Sequence, residues 1–211
     1  MKSLNSDTTI IFSANIGETI FVVGVFVIGL YAYSKYLFDQ YVRKKLKESS
    51  SQIVGLRYFN VYGPNEAHKG RMASVAYHLN QQLKEGDTVK LFEGWDGYKA
   101  GQQKRDFVYV DDVIKVNLWF KKNKNISGIF NVGTGKSQTF NEVAEAVIDW
   151  NKKGTIKFIT FPEQLKDSYQ SFTEADIKKL REVGYQEKFL DVKEGIKLYL
   201  DKLDNWPKNE F

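Results

Sequence analysis

The 211-residue sequence has no cysteine. Disulfides and thiol catalysis are therefore excluded, and the composition suits a reducing compartment such as the cytoplasm. There are only two histidines, which without cysteine leaves no ordinary ligand set for a structural zinc ion. Three prolines are too few for an extended or low-complexity chain. Internal repeats and compositionally biased linkers are missing as well. No run of lysine and arginine reaches the density of a nucleic-acid-binding arm. The net charge of +5 is dispersed and reads as a solvated surface with a bias toward anionic ligands.

What is present is a globular composition, 42% hydrophobic, long enough for one sizeable core or a core with a small lobe. Residues 19–34 carry no charge, and Ile20–Leu30 is almost wholly apolar. That run is short for a membrane helix. Three readings fit it: a buried strand or helix, a signal anchor, or a segment without an evolved role. A membrane-embedded protein is not expected.

From Tyr31 onward the local signals agree with one another. Leu37, Phe38, Tyr41, Val42 and Leu46 mark the apolar face of a helix that ends among Lys44, Lys45 and Lys47. Residues 52–59 read as a buried strand, and Asn60–Pro64 as the turn that stops it. Met72, Val75, Leu79 and Leu83 read as the next helical face, closed by Gly86. Val89–Phe92 is a short strand, and Gly94–Gln103 a polar loop. After the alternating Asp106–Val110, Asp111 and Asp112 are placed to cap a helix through Phe120. Gly128–Gly133 is a strand with a glycine turn. Thr139-Phe-Asn-Glu142 is a capping box. Thr155–Phe161 is a strand. Thr173–Asp176 is read as the cap of a helix ending at Gly184, and Asp191–Glu194 as the start of the last one. Alternating strands and helices indicate an α/β fold.

Tyr31-Ala-Tyr-Ser-Lys35 places a phenol and an ammonium one turn apart on a helix face. A neighbouring ammonium favours the phenolate, which can then act as a base. The pair is a weak signal alone, because aromatic residues and lysines meet by chance on such helices. Its neighbours supply specificity. Arg57-Tyr-Phe-Asn-Val-Tyr-Gly-Pro64 follows, then Glu66-Ala-His-Lys-Gly70, Met72-Ala-Ser-Val-Ala76 and Leu91-Phe-Glu-Gly94. Lys104–Val110, Val116–Phe120, Phe130–Gly135 and Tyr169–Asp176 complete the set. Gly133-Thr-Gly135 lacks the frame of a P-loop and reads as a tight turn. Asp111 and Asp112 are more simply helix-capping residues than a metal pair.

Taken in order, these motifs resemble the extended short-chain dehydrogenase/reductase family of nucleotide-sugar enzymes, within it the ADP-heptose 6-epimerases. The resemblance spans Tyr31 to about Leu203. It implies the C-terminal part of a Rossmann-type sheet with a smaller α/β substrate lobe. Residues 31–64 correspond to a remnant of the dinucleotide-binding domain. Residues 65–211 correspond mainly to the substrate lobe with returning sheet elements, and residues 1–30 are unassigned. The implied activity is inversion at C6 of an ADP-glycero-manno-heptose, as in lipopolysaccharide precursor synthesis, by NADP-dependent oxidation and re-reduction. Tyr31 matches the first base, Lys35 its partner and a cofactor contact, and Lys69 the second acid/base and a cofactor contact. Val61 matches a residue lining NADP. Asn60, Arg71, His78, Phe92, Glu93, Gly94, Trp95, Arg105 and Tyr169 match substrate contacts, with Arg105 suited to grip a diphosphate in a bidentate fork. Arg71 and His78, seven apart, are read as sharing one helix face. The family's homo-oligomer is implied too.

The sequence departs from the family at Arg71 and Trp95, where the usual residue is small and polar. It departs most before Tyr31, where no glycine-rich pyrophosphate-binding turn occurs. The expectation is a truncated member whose activity alone is uncertain; a sugar-nucleotide-binding remnant without catalysis and a hexose-specific enzyme are the alternatives.

Overall fold

The computed structural model describes residues 10–15, 24–166 and 169–205, with side chains from residue 33 onward. Strand β1 (Ile10–Asn15) lies inside residues 1–30, which the sequence leaves unassigned. It pairs in parallel with β2 (Ile53–Tyr58), Ser13 opposite Leu56. The crossover between them contains helix α1 (Gly24–Glu48), and β2 pairs on its other side with β7 (Gly128–Val132), again in parallel. Among the described residues no helix is long and apolar enough to cross a membrane.

The side of α1 that packs is narrower than the sequence pattern suggests. Phe38, Val42 and Leu46, spaced by four, lie against Ile53 and Ile129. Leu37 and Tyr41 are 48% and 54% exposed. They sit on the flank of the stripe, beyond reach of the sheet.

The expected turn at Asn60–Pro64 is in its first half a strand. β3 (Asn60–Tyr62) pairs in parallel with β6 (Phe107–Tyr109). A 3-10 turn follows at Ala67–Met72, and α2 (Val75–Glu85) begins after Ser74, whose hydroxyl accepts from the Tyr77 N–H as its cap. Met72 therefore precedes the helix and is 40% exposed rather than part of its core face. For the same reason Arg71 and His78 do not share a helix: extended residues Ala73 and Ser74 separate them.

β4 (Thr88–Phe92) pairs in parallel with β9 (Thr155–Ile159). The short β5 (Lys104–Arg105) pairs antiparallel with β8 (Gln138–Thr139). Helix α3 (Val110–Lys122) starts without a side-chain cap. Asp111 and Asp112 lie in its first turn instead, where carboxylates suit the helix dipole. The Asp112 carboxylate accepts from the Leu190 N–H, and Asp111 pairs with Lys202.

The capping boxes of α4 (Phe140–Asn151) and α6 (Val192–Asp204) form as read, through Thr139 with Glu142 and Asp191 with Glu194. Of the cap read at Thr173–Asp176, Asp176 does the capping: its Oδ1 accepts from the Lys178 N–H at 3.0 Å, at the start of helix α5 (Lys178–Glu182). The Thr173 hydroxyl is used elsewhere. Two main cores result. One joins α2, α4 and α6 to β4 around Leu79, Val89, Val147 and Tyr199. The other joins β2, β6 and β7 to α3 and α5 around Leu56, Val108, Phe120 and Leu180. The α/β architecture, with parallel pairing in three of the four sheets among the described residues, is the expected one.

Candidate functional site

Arg105 is the charged group that the fold treats most unusually. It is 8% exposed, held in β5, and donates through Nη1 to the Lys104 carbonyl at 3.2 Å. Its guanidinium lies 5.1 Å from the Tyr169 ring centroid and 6.0 Å from that of Phe140. Among the described residues no carboxylate forms an ion pair with it. Burial pulls the guanidinium below its ordinary pKa, with the facing Tyr169 acting in the other direction. Burial raises the Tyr169 phenol, and Arg105 opposes that shift. A cation taken out of water without a counter-charge is costly, and an anionic ligand relieves the cost.

An aromatic wall continues from Tyr169. Its ring meets Phe161 edge-on at 5.0 Å, Phe161 meets Phe92 at 5.2 Å, and Trp95 stacks on Phe161 at 5.8 Å. The Lys166 ammonium lies 4.6 Å from the Trp95 ring centroid, and Trp95 Nε1 donates to the Lys166 carbonyl at 3.3 Å. The cluster sits where the parallel strands β4 and β9 end, the usual ligand end of such pairs. The loop between Phe92 and Arg105 is closely fitted. A Cβ on Gly94 would come 2.2 Å from the Tyr98 carbonyl oxygen. Asp96 and Gly97 both have positive φ, 55° and 78°, and the Tyr98 N–H returns to the Trp95 carbonyl at 3.1 Å, a tight turn.

Next to Arg105, Asp106 is fully buried and ties three segments together. Oδ1 accepts from the Thr134 N–H and hydroxyl at 2.7 and 2.8 Å. Oδ2 accepts from the Gly135 and Ala175 N–H groups at 2.9 and 3.0 Å. Burial raises this carboxyl above its ordinary value despite those four bonds. The Gly133 turn is thus a structural seat, as the sequence suggests: a Cβ there would lie 2.8 Å from Asp106 Oδ2. The Asp106 carbonyl accepts from the Asn60 N–H at 3.1 Å. The Thr173 hydroxyl donates to Asn60 Oδ1 at 3.2 Å.

The structure therefore groups Phe92, Trp95, Arg105 and Tyr169, and it links Arg105 to Asn60 through Asp106. Glu93 is exposed, with its N–H bonded to the Ile159 carbonyl at 2.8 Å. Val61 is half-buried in β3, and His78 is half-buried on α2. Lys69 and Arg71 are exposed on the 3-10 turn, and no hydrogen bond or ion pair among the described residues joins either to Asn60 or Arg105. Lys35 lies on α1 with its Nζ buried. Tyr31 lies on the same helix, one turn earlier, but its side chain is outside the described residues. Among the described residues no cluster of three or more metal-ligating side chains occurs.

Sequence reasoning missed Phe161, Phe140, Lys166, Asp106 and Thr173 as site residues. Asp106 and Thr173 left a signal, since they lie inside the Lys104–Val110 and Tyr169–Asp176 motifs. The others reach the site from distant segments.

The chain is similar over 94% of its length to an ADP-L-glycero-D-manno-heptose-6-epimerase from Helicobacter pylori, at 31% identity and a TM-score of 0.71, covering 61% of that protein. It is also similar to a UDP-glucose 4-epimerase from Thermus thermophilus solved with NAD, at 25% identity, covering 94% of this chain and 65% of the other, with a TM-score of 0.69. A UDP-N-acetylglucosamine 4-epimerase from Methanobrevibacter ruminantium shares the fold at 22% identity and a TM-score of 0.74, over 94% of this chain and 64% of that one. The chain spans less than two thirds of the length of each. The profile of the NAD dependent epimerase/dehydratase family matches residues 28–133, half of this sequence. The chain belongs to the NAD dependent epimerase/dehydratase family.

Proposed function

We propose that this chain carries the sugar-nucleotide site of an ADP-heptose 6-epimerase, acting in lipopolysaccharide heptose precursor synthesis. The observation that carries the reading is the buried Arg105 guanidinium, without a carboxylate partner among the described residues and walled by Tyr169 and Phe140. A diphosphate supplies the missing charge and matches the guanidinium fork. The ordered motifs around Lys69, Asn60 and Tyr169, and the 31% identity to the Helicobacter pylori enzyme, support the heptose nucleotide over a hexose one.

In this reading Arg105 binds the diphosphate, and Phe92, Glu93, Gly94, Trp95 and Tyr169 border the nucleotide. Asn60, Arg71 and His78 contact the substrate. Tyr31 takes the proton from the hydroxyl at C6 on one face, and Lys69 serves the opposite face. Lys35, one helical turn on, is the partner of Tyr31. A bound nicotinamide supplies hydride acceptance and return. Lys35, with a buried Nζ, and the half-buried Val61 suit its ribose end, with Lys69 as a further contact. Residues 1–30 contain no glycine-rich pyrophosphate turn, so the described residues do not complete an NADP site.

The second reading is a sugar-nucleotide-binding module without turnover. Calorimetric titration of the 211-residue protein with ADP-heptose, UDP-glucose and NADP separates the two. ADP-heptose binding with epimerisation upon NADP addition supports the enzyme. Binding without NADP affinity or turnover supports the module. Preference for UDP-glucose sinks the heptose assignment.

A further inference from the structure

We infer that Thr173 is a positioning residue that orients the Asn60 amide so that it offers only N–H donors to a ligand. The inference rests on the sugar-nucleotide reading of Asn60. Thr173 and Asn60 are 113 positions apart, and the sequence pattern assigns Thr173 to a helix cap that the fold builds from Asp176 instead. Its backbone is fixed instead beside β5: the Lys104 N–H bonds the Ser171 carbonyl at 2.9 Å, and the Thr173 N–H bonds the Lys104 carbonyl at 3.1 Å. The Thr173 hydroxyl accepts from the Asp106 N–H at 3.4 Å. Its single hydrogen is then free to point to Asn60 Oδ1 at 3.2 Å.

The consequence is chemical. An asparagine amide can face a ligand with an acceptor or with donors, and rotation exchanges them. Thr173 occupies the acceptor. The Asn60 backbone is pinned as well, through its N–H to the Asp106 carbonyl at 3.1 Å. The Nδ2 group is left with no protein acceptor among the described residues, half-buried at the start of β3. Such a group selects an acceptor oxygen, of a sugar hydroxyl or of a phosphate, and disfavours a ligand that offers only a donor there. Asp106 links this device to the Arg105 charge site in the preceding position of the chain.

The test uses the 211-residue protein labelled with nitrogen-15. Loss of one side-chain amide pair in Asn60→Ala identifies the Asn60 signal. Thr173→Val is expected to shift that pair, and Thr173→Ser to restore it. Titration with ADP-heptose is expected to show about a fivefold to tenfold weaker affinity for Thr173→Val, the value of one hydrogen bond. The serine variant recovers it, and Thr173→Val adds no further loss in the Asn60→Ala background. An unmoved Asn60 pair, or the same loss in both backgrounds, overturns the inference. Thr173→Ala takes the place of the valine variant if the latter does not fold. If the unaltered protein binds no sugar nucleotide, the functional reading fails by itself. The response of the amide pair to Thr173→Val then still decides whether Thr173 holds Asn60.

Discussion

The Tyr199 hydroxyl donates to Oε1 of Glu66 at 2.6 Å, across 133 positions of sequence. The same carboxylate accepts from the Ser74 hydroxyl at 2.6 Å and the Ser74 N–H at 2.8 Å. Glu66 is 3% exposed, so neutral donors alone replace its water. The arrangement clamps both ends of the turn carrying Lys69, whose N–H bonds the Glu66 carbonyl at 3.0 Å, and ties them to α6.

Removing a donor to a buried charge costs about 1.5–3 kcal/mol. Tyr199→Phe is expected to lower stability by that order in urea denaturation. Glu66→Gln is expected to cost at least as much, because its amide N–H groups meet donors instead of acceptors. An unchanged urea midpoint for Glu66→Gln contradicts the clamp.

Arg105 reverses the usual link between stability and function. An apolar residue of similar volume removes a buried charge that has no carboxylate partner among the described residues, so Arg105→Met is expected to be as stable as the original or more so. ADP-heptose affinity is expected to fall by about tenfold or more, since charge-assisted bonds of about 1.5–3 kcal/mol are lost. Arg105→Lys is not expected to rescue it, because an ammonium cannot form the planar fork. Calorimetry and thermal unfolding on the same samples check both halves.

Four buried tyrosines make the fold sensitive to alkali. Burial raises the phenols of Tyr62, Tyr109 and Tyr199, and pushes that of Tyr185 up to about 12. In the unfolded chain each loses its proton near pH 10, while the folded chain still holds it. The unfolded state is thus favoured as pH rises. Stability is expected to be full below about pH 10 and to fall above it as several protons are released on unfolding. Urea midpoints against pH, with phenolate absorbance as the second signal, measure this. Ionisation of all twelve tyrosines in one step near pH 10, without loss of structure, contradicts it.

Tyr31→Phe and Lys69→Met are each expected to abolish epimerisation when residues 24–205 are joined to a complete dinucleotide-binding region. Full turnover by either variant removes the assignment of one proton-transfer group to each face of the substrate.

Local order was legible where residues satisfy one another within a turn or a strand. Thr139 with Glu142 and Asp191 with Glu194 form their capping boxes as the spacing demands. The strand at residues 53–58 is legible from its apolar run. The errors share a physical cause. Asn60–Tyr62 has turn-like neighbours in Gly63 and Pro64, yet pairing with Phe107–Tyr109 makes it a strand. Met72 fits a helical period, but extended Ala73 and Ser74 separate it from the helix that follows.

The candidate site divides in the same way. The sequence by itself determined the α/β class, the family resemblance and the identities of Asn60, Lys69, Arg105 and Tyr169 as candidates, because residue types and their order carry that information. Only the tertiary structure decided that Arg105 is buried against Tyr169, that Phe161 links Trp95 to Phe92, and that Thr173 serves Asn60 rather than a helix end. Those relations join segments separated by tens of residues or more. A hydroxyl or a guanidinium can satisfy its bonding in several local ways, and the choice among them is made by the partner that folding brings within about 3 Å.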